Sequence, residues 1–385
     1  MARKKNASSG GNAFEKCEWS GNGEKVESYL PTGSVILDTL ITGEAKGIPA
    51  GASVCFSAEP SVGKSTIALG IARKICLTGK KVVYFDVERA ITSYQLKAFK
   101  LDEFFGKNFF LSDASTFEEV EKIFSDVIYE PDLACVFVDS LTSLSTAKDI
   151  DLDESITSMD VALQARLIGK FVKKFRYHSR QAGVTIVYIN QMRTKDIGAR
   201  TGAKLKPAGG YPQEHAMDVH IQFSHGDKLY RSEQTALGVQ DKVIYGEDLR
   251  VKCLKNKYCR SGIELALTLI IGKGISNYAA YTKWLQNHGD IKQSGPYYTI
   301  TIGDRSEKVQ GQIAVNNFLK EHADEVRKYI DENGGFFLVK SKGNSDEIED
   351  SYSPSDIESI SLPSISSNED SSVTVSTQTN SIQEF

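Results

Sequence analysis

The sequence predicts an α/β fold in which a mostly parallel sheet is covered by helices on both faces. Three observations point there. The runs 52-ASVCFS-57, 81-KVVYFD-86, 133-LACVFVD-139 and 184-VTIVYIN-190 alternate with segments of helical periodicity. They are apolar at almost every position, as strands buried on both sides must be. The stretch 57-SAEPSVGKSTI-67 follows the first run and opens a helical segment, and the third run ends on Asp139. A loop that cradles phosphate needs the first context, and a metal-holding carboxylate often takes the second.

Taken in order, residues 1–30 are polar and Gly/Ser-rich and read as a flexible N-terminal arm with room for one short helix around Phe14–Trp19. From about Leu30 the α/β pattern sets in. Helical periodicity over 64–80 ends at a Thr-Gly turn, 92–100 reads as a second helix, and a long helix is expected over 159–181. Residues 191–210 read as a Gly/Lys/Arg loop, followed by strand-like runs near 217–223, 249–256 and 263–271. These complete a core over 31–273. Residues 274–340 read as a small α/β C-terminal domain containing one amphipathic helix over 312–332. Residues 343–385 hold thirteen serines, nine acids and no Lys or Arg. Such a stretch buries too little apolar surface to fold, so 341–385 is expected to be a disordered acidic tail.

The formal net charge of −4 therefore hides an asymmetry. Without the tail, 46 basic residues face 41 acidic ones, a body at +5. An acidic tail on a mildly basic body points toward polyanions. The six cysteines include no C-x-x-C pair, and Cys55, Cys76 and Cys135 sit in apolar runs. That suits a reducing compartment and argues against a disulfide frame or zinc site. No apolar run approaches the ~18 residues of a membrane span, and the basic N-terminus has no apolar stretch behind it to make a secretory signal. The expectation is a cytoplasmic protein without a membrane partner.

The stretch 58-AEPSVGKST-66 differs from G-x-x-x-x-G-K-[ST] only at its first position. There Ala58 can end a strand without a positive φ, so its methyl is tolerated. The backbone N–H groups of roughly Ser61 to Thr66 are expected to point into one concavity, and Glu59, Pro60, Ser61, Val62, Gly63, Lys64, Ser65 and Thr66 are the expected ATP-binding residues of this loop. Lys64 adds a point charge for the β- and γ-phosphates. Ser65 and Asp139 are the expected Mg²⁺ holders, although Asp139 and Ser140 also suit a helix N-cap. Hydrolysis needs a group that orients or deprotonates water. Glu88, just after the strand 81–86, is the candidate general base, and Asp86 is the competitor with a supporting role. Gln191, at the end of the fourth strand, is a neutral amide suited to sensing a γ-phosphate and reporting it to the loop behind. Lys64, Glu88 and Gln191 form the expected catalytic set.

That loop, 192-MRTKDIGARTGAKLKPAGG-210, holds Arg193, Lys195, Arg200, Lys204 and Lys206 against one Asp, and its glycines include Gly209 and Gly210. Upstream, Arg166, Lys170, Lys173 and Tyr177 fall on one face of the long helix. A basic face beside a mobile basic loop, coupled to a nucleotide, suits a DNA phosphate backbone, although a charged helix face is often only solvated.

The ordered motifs 31-PTGSVILDTLI-41, 48-IPAG-51, 58-AEPSVGKST-66, 84-YFDVERA-90, 137-FVDSLTSL-144, 189-INQMR-193, 209-GG-210, 251-VKCLKNK-257 and 270-IIGKGISNY-278 resemble those of bacterial-type RecA recombinases over roughly 30–335. The resemblance implies a RecA-like ATPase core and a filament on single-stranded DNA, with ATP between protomers. It also implies pairing with double-stranded DNA and strand exchange in recombination and repair. By position it gives Glu88 the catalytic role, Gln191 the link to the second DNA loop, and Lys255 and Lys257 a reach to the neighbour's ATP. Arg166 and Lys173 fall near the first DNA loop, and Arg193, Gly209 and Gly210 in the second. The sequence departs from the family at several points. Residues 1–30 give no convincing counterpart of the N-terminal docking helix. Glu214 and His215 replace a Lys-Phe pair, Ile271 replaces an adenine-stacking tyrosine, and Tyr94 matches another only one residue out of register. The second loop lacks the family's aromatic. Such divergence suits a phage-encoded member. Rival readings are a helicase-like motor of the same fold, or a non-hydrolysing mediator or paralogue. The joint presence of Lys64, Glu88, Asp139 and Gln191 speaks against the latter.

Overall fold

The structure, a computed structural model, describes residue 26 and residues 28–147, 161–195, 204–207, 215–234 and 240–336. The N-terminal arm to residue 25, with its short helix, and the tail from 337 lie outside these residues. A strand pair, β1 (Tyr29–Leu30) and β2 (Ile48–Pro49), brackets helix α1 (Val35–Thr42). Then strand and helix alternate through β3 (Ser53–Ala58), α2 (Lys64–Cys76), β4 (Lys81–Asp86), α3 (Ser93–Ala98), β5 (Phe109–Ser112), α4 (Phe117–Val127), β6 (Leu133–Asp139), α5 (Val161–Ala182) and β7 (Thr185–Lys195). Four strands follow: β8 (Lys204–Pro207), β9 (Val219–Gln234), β10 (Gln240–Asn256) and β11 (Glu264–Ile270), with β12 (Gly274–Ser276) after the last.

These strands make one sheet in the order β12-β11-β10-β9-β3-β7-β6-β4-β5, with β8 paired to β7. The six strands from β9 to β5 run parallel. Period-two alternation sorts their side chains into two cores. Val54, Phe56, Cys135, Phe137, Val187 and Ile189 pack toward α1 and α2. Cys55, Val136, Val138, Ile186 and Tyr188 pack toward α4 and α5. The predicted two-faced burial follows from this alternation. A third core forms where α6 (Tyr278–His288), the antiparallel sheet β13 (Ile291–Ser294), β14 (Tyr297–Ile302) and β15 (Arg305–Gln310), and helices α7 (Gly311–Glu321) and α8 (Ala323–Glu332) come together.

Three sequence expectations are revised. The single helix over 312–332 is two, because His322 leaves helical dihedrals at φ −112° and ψ 27°. The break lets Phe318 and Leu319 on one axis and Val326 and Ile330 on the next wrap one core. The segment 191–210 is not all loop: β7 runs on to Lys195, and β8 pairs back on it. The strands near 217–223 and 249–256 are the buried ends of a much longer β9–β10 ribbon, whose outer part, such as 224-SHGDKLYRSEQ-234, is too polar to announce itself. Among the described residues no helix is long and apolar enough to cross a membrane.

A buried polar contact ties two of the parallel strands. His220 on β9 lies beside Cys55 in register, and its Nε2 is 2.8 Å from Ser57 Oγ. Burial, with Lys255 nearby adding to it, pushes its pKa down to about 4. The folded state thus holds His220 neutral while the unfolded chain titrates near ~6.5. Its contribution is complete above the unfolded value and is lost as pH falls toward the folded one, a total of about 3 kcal/mol. We expect urea-unfolding stability to fall across this window in the wild type and to fall less in His220→Gln. An equal slope in the two proteins removes this histidine as the cause.

Candidate nucleotide-binding site

The site is built where parallel strands end together. Ala58 is in register with Gln191, Asp139 with Ile189, and Asp86 with Asp139. Three strand ends, and the point where β7 leaves its parallel neighbours, therefore bring the phosphate loop, Asp139, Glu88 and Gln191 to one edge. Ala58 is the last residue of β3 and does not have a positive φ, so the methyl is accommodated as expected. Beyond it, Ser61 takes φ 65° and Gly63 φ 93° before α2 begins at Lys64. Left-handed residues in such a turn aim successive N–H groups into one concavity. Gly63 is favoured by its φ of 93°, and a Cβ there would lie 2.6 Å from Leu269 Cδ2, so that side chain would have to shift. Val62 is buried and anchors the loop, while Pro60 and Ser61 are exposed.

Lys64 Nζ donates to the carbonyls of Glu59 at 2.9 Å and Ala58 at 3.4 Å. Desolvation lowers its pKa against the pull of Asp139 and Glu88. Asp139 is buried. Desolvation raises its pKa, opposed by hydrogen bonds from Ser65 and from Tyr84, whose OH lies 2.7 Å from Oδ2. A buried carboxylate whose charged form is penalised by desolvation, with a serine hydroxyl against it, fits a divalent cation that would favour that charged form. Among the described residues no cluster of three or more His, Cys, Asp or Glu exists. That is compatible with Mg²⁺, which takes few protein ligands and completes its shell with phosphate and water.

Glu88 is held by its neighbours. Its Oε1 accepts from Ser140 Oγ at 2.6 Å, Ser143 Oγ at 2.8 Å and Gln191 Nε2 at 2.8 Å. Burial raises its pKa, but these donors, together with Lys64, outweigh that and lower it. All three of these bonds fall on one oxygen, Oε1. Asp86, the competitor, has both oxygens committed: Oδ1 accepts from Ala90 N at 3.0 Å and Oδ2 from Ile91 N at 2.9 Å. It shapes the turn that presents Glu88. Sequence reasoning missed Ser143 and Tyr84. The hydroxyls in 139-DSLTS-143 were the available signal; nothing marked Tyr84. The Asp139–Ser140 peptide is cis.

Other candidates lie elsewhere. Tyr94 is 76% exposed on α3, and Ile271 is exposed in the β11–β12 turn. The two elements meet where Gly274 approaches the Phe99 ring, 2.9 Å from a would-be Cβ. Lys255 and Lys257 stand at the opposite edge of the sheet, Lys255 donating to His215 O and Lys257 to Asp218 Oδ1. Arg166, Lys170, Lys173 and Tyr177 are exposed on α5, whose other face buries Ile168, Phe171, Val172 and Phe175. In the β7–β8 hairpin the register sets Arg193 opposite Lys206 and Lys195 opposite Lys204. Arg200, Gly209 and Gly210 fall outside the described residues.

A phosphate-type loop at the C-terminal edge of a parallel sheet, with a carboxylate on a neighbouring strand end, defines an α/β fold of the RecA-like class. A family model described as the RecA N-terminal domain matches residues 16–276. Protein RecA of Acidothermus cellulolyticus is 27% identical over 309 residues, covering 80% of this chain and 84% of the relative. Protein RecA of Rubrobacter xylanophilus is 28% identical over 308 residues, with coverage of 80% and 83%. That of Mycolicibacterium smegmatis is 27% identical over 323 residues, with coverage of 82% and 87%. The chain belongs to the RecA family.

The buried carboxylate of Asp86 gives a direct test of the support around Glu88. Asp86→Ala leaves two backbone donors without acceptors and is expected to cost about 1–3 kcal/mol. Urea unfolding measures it. Unchanged stability would show that the turn holds without this residue.

Proposed function

We propose that this chain is an ATP-dependent recombinase. It binds single-stranded DNA, assembles head to tail into a filament, and catalyses homologous pairing with double-stranded DNA and strand exchange. One observation carries the reading: the Gln191 amide bonds Glu88 at 2.8 Å and begins the extension of β7 that carries Arg193 and Lys195. The group beside the proposed γ-phosphate position and the root of the basic hairpin are one residue.

In this reading the loop from Glu59 to Thr66 binds the phosphates, Lys64 pairs with their charge, and Ser65 and Asp139 hold Mg²⁺, which supplies Lewis-acid stabilisation of the departing phosphate oxygens. Glu88 orients the attacking water, while Tyr94 and Ile271 flank the base. The hairpin register adds support for a polyanion. Like charges directly opposite across a strand pair destabilise it, so Arg193–Lys206 and Lys195–Lys204 favour a partner that neutralises them. DNA backbone is such a partner, and the exposed face of α5 with Arg166, Lys170 and Lys173 extends the surface. Residues 31–273 then form the motor, with 274–340 as an appended domain.

The position of Lys255 and Lys257 supports head-to-tail assembly. Lys257 N bonds Asp218 O, and Asp218 N bonds Ser53 O, so Lys257 lies level with the start of β3. The phosphate loop begins five residues on, roughly 16 Å away at ~3.3 Å per residue. Within one chain these lysines face away from the nucleotide. A heterologous contact that does not close brings them to a neighbour's nucleotide and generates a helical filament.

Two outcomes test this function. Glu88→Gln is expected to bind ATP, to hydrolyse it roughly 10²–10⁴-fold more slowly and to retain single-stranded DNA longer than wild type. If wild type holds DNA equally with ATP, with ADP and with no nucleotide, the coupling is absent and the assignment fails. Replacing Arg193 and Lys195 by alanine is expected to flatten the salt dependence of single-strand binding by ~0.7 log units in slope per lost phosphate contact. An unaltered slope would put the DNA elsewhere.

A further inference from the structure

The carboxylate that the site offers to a cation is gripped from inside the sheet. Tyr84 on β4 is fully buried and stands in register with Phe137 on β6. Asp139 lies two residues beyond Phe137, on the same face of β6, so Tyr84 and Asp139 are diagonal neighbours across the strand pair. Side chains of aromatic length reach across that diagonal. The Tyr84 hydroxyl donates to Asp139 Oδ2 at 2.7 Å. Packing fixes the ring: Phe137 stacks on it at 5.3 Å between ring centres with 16° between planes, and Phe109 flanks it at 6.2 Å. Ser65, the other proposed holder of the ion, bonds the same carboxylate.

Packing alone does not call for a tyrosine here. A phenylalanine would fill the same space and stack on Phe137 equally well, and the core around it includes Val82, Phe109 and Phe137. The hydroxyl is a polar atom carried into apolar surroundings, where it costs free energy unless it is paired. Its effect falls on its partner. With Oδ2 committed to a fixed donor, the Asp139 carboxylate cannot turn freely, and it presents an ion with one oxygen rather than two. Mg²⁺ is content with single oxygens from protein and fills its octahedral shell with water and phosphate. Ca²⁺ is larger, takes roughly 6–8 oxygens and can gain from both oxygens of one carboxylate.

We propose that Tyr84 is a positioning residue that restricts Asp139 to one-oxygen ligation and thereby sets the preference of the nucleotide site for Mg²⁺ over Ca²⁺. This deepens the reading in which Ser65 and Asp139 hold the ion, and it rests on that reading. Tyr84 acts through Asp139 alone. The backbone beneath the carboxylate is tied to β4 as well: Asp86 faces Asp139 in register, and Val87 N donates to Asp139 O at 2.7 Å. Main chain and side chain of Asp139 are thus both held by the neighbouring strand and its turn. Removing the one hydroxyl leaves the ring and its stack in place and frees the carboxylate to rotate and use both oxygens.

The test is binding of a fluorescent, non-hydrolysable ATP analogue to the full-length protein, first in EDTA and then with Mg²⁺ or Ca²⁺ added. Wild type is expected to reach half-saturation at a lower concentration of Mg²⁺ than of Ca²⁺. In Tyr84→Phe the ratio of the half-saturating Ca²⁺ to Mg²⁺ concentrations is expected to fall roughly tenfold, the scale of one hydrogen bond to a charged group. Binding in EDTA is expected to match wild type. A tyrosine with only a structural role would weaken both ions alike, or the metal-free complex, and leave the ratio as it was; that result overturns the inference. So does a wild type without a preference for Mg²⁺, a check that needs no variant. Asp139→Asn separates the inference from the reading beneath it, and is expected to need more of either ion. If Asp139→Asn keeps the wild-type response to both, Asp139 holds no metal, and reading and inference fall together. An unchanged ratio in Tyr84→Phe beside a weakened Asp139→Asn removes the inference alone.

Discussion

The hydrogen bond from Gln191 to Glu88 joins β7 to the turn that follows β4, and these two strands do not touch. β6 lies between them, and the bond passes over its end, where Ser140 also donates to the same carboxylate oxygen. Such a bridge forms only if β4 and β6 finish level with the point where β7 leaves its parallel neighbours. A slip of one residue in any pair would turn its side chains to the other face and remove Glu88 or Gln191 from the edge. The two buried cores enforce that register. Phe137 stacks on Tyr84 from β4 at 5.3 Å between ring centres, and Tyr84 in turn bonds Asp139. Packing of the sheet and geometry of the site are thus set by the same side chains.

The strand ends of the site were legible in the sequence because burial on both faces makes β3, β4 and β6 continuous apolar runs with sharp ends. The phosphate loop was legible because its backbone geometry admits few residues at Gly63. What escaped had no periodic signal. The β7–β8 hairpin is built from MRTK and KLKP, which show no apolar alternation. The outer β9–β10 ribbon is polar for the same reason: neither face meets a core. The helix break at His322 carries no Gly or Pro, since it arises from the shape of the core beneath. The bonds of Asp218 to Arg176, Arg180 and Lys257 join residues 38 to 42 positions apart, and a contact at that separation leaves no local trace.

The edges of the sheet differ in charge chemistry, and this gives the chain a direction. At the phosphate-loop edge, among the described residues, Asp139 and Glu88 stand near the Lys64 ammonium. At the other edge, two arginines and Lys257 surround one carboxylate. Among the described residues, carboxylates predominate at the first edge and cations at the second. A monomer cannot join the two, because β3 separates them. The proposed stacking of one chain on the next would join them, and the same operation would repeat without closing.

The magnitude available for coupling nucleotide to DNA follows from the Gln191 contact. Its amide can donate to Glu88 or turn to a phosphate, and the two states differ by about one hydrogen bond to a charged group, roughly 1.5–3 kcal/mol. A ligand shifts an equilibrium only by its differential affinity for the two states. One such bond therefore supports a change of about 10- to 150-fold in DNA affinity per site. That suffices for a reversible switch and falls short of the ~10⁴-fold needed to reverse a 1:99 population. A lone chain would answer to nucleotide only in part. In the proposed filament, successive chains along one DNA strand would share a polyanion, so their modest individual shifts would multiply and the polymer would be the unit that responds sharply.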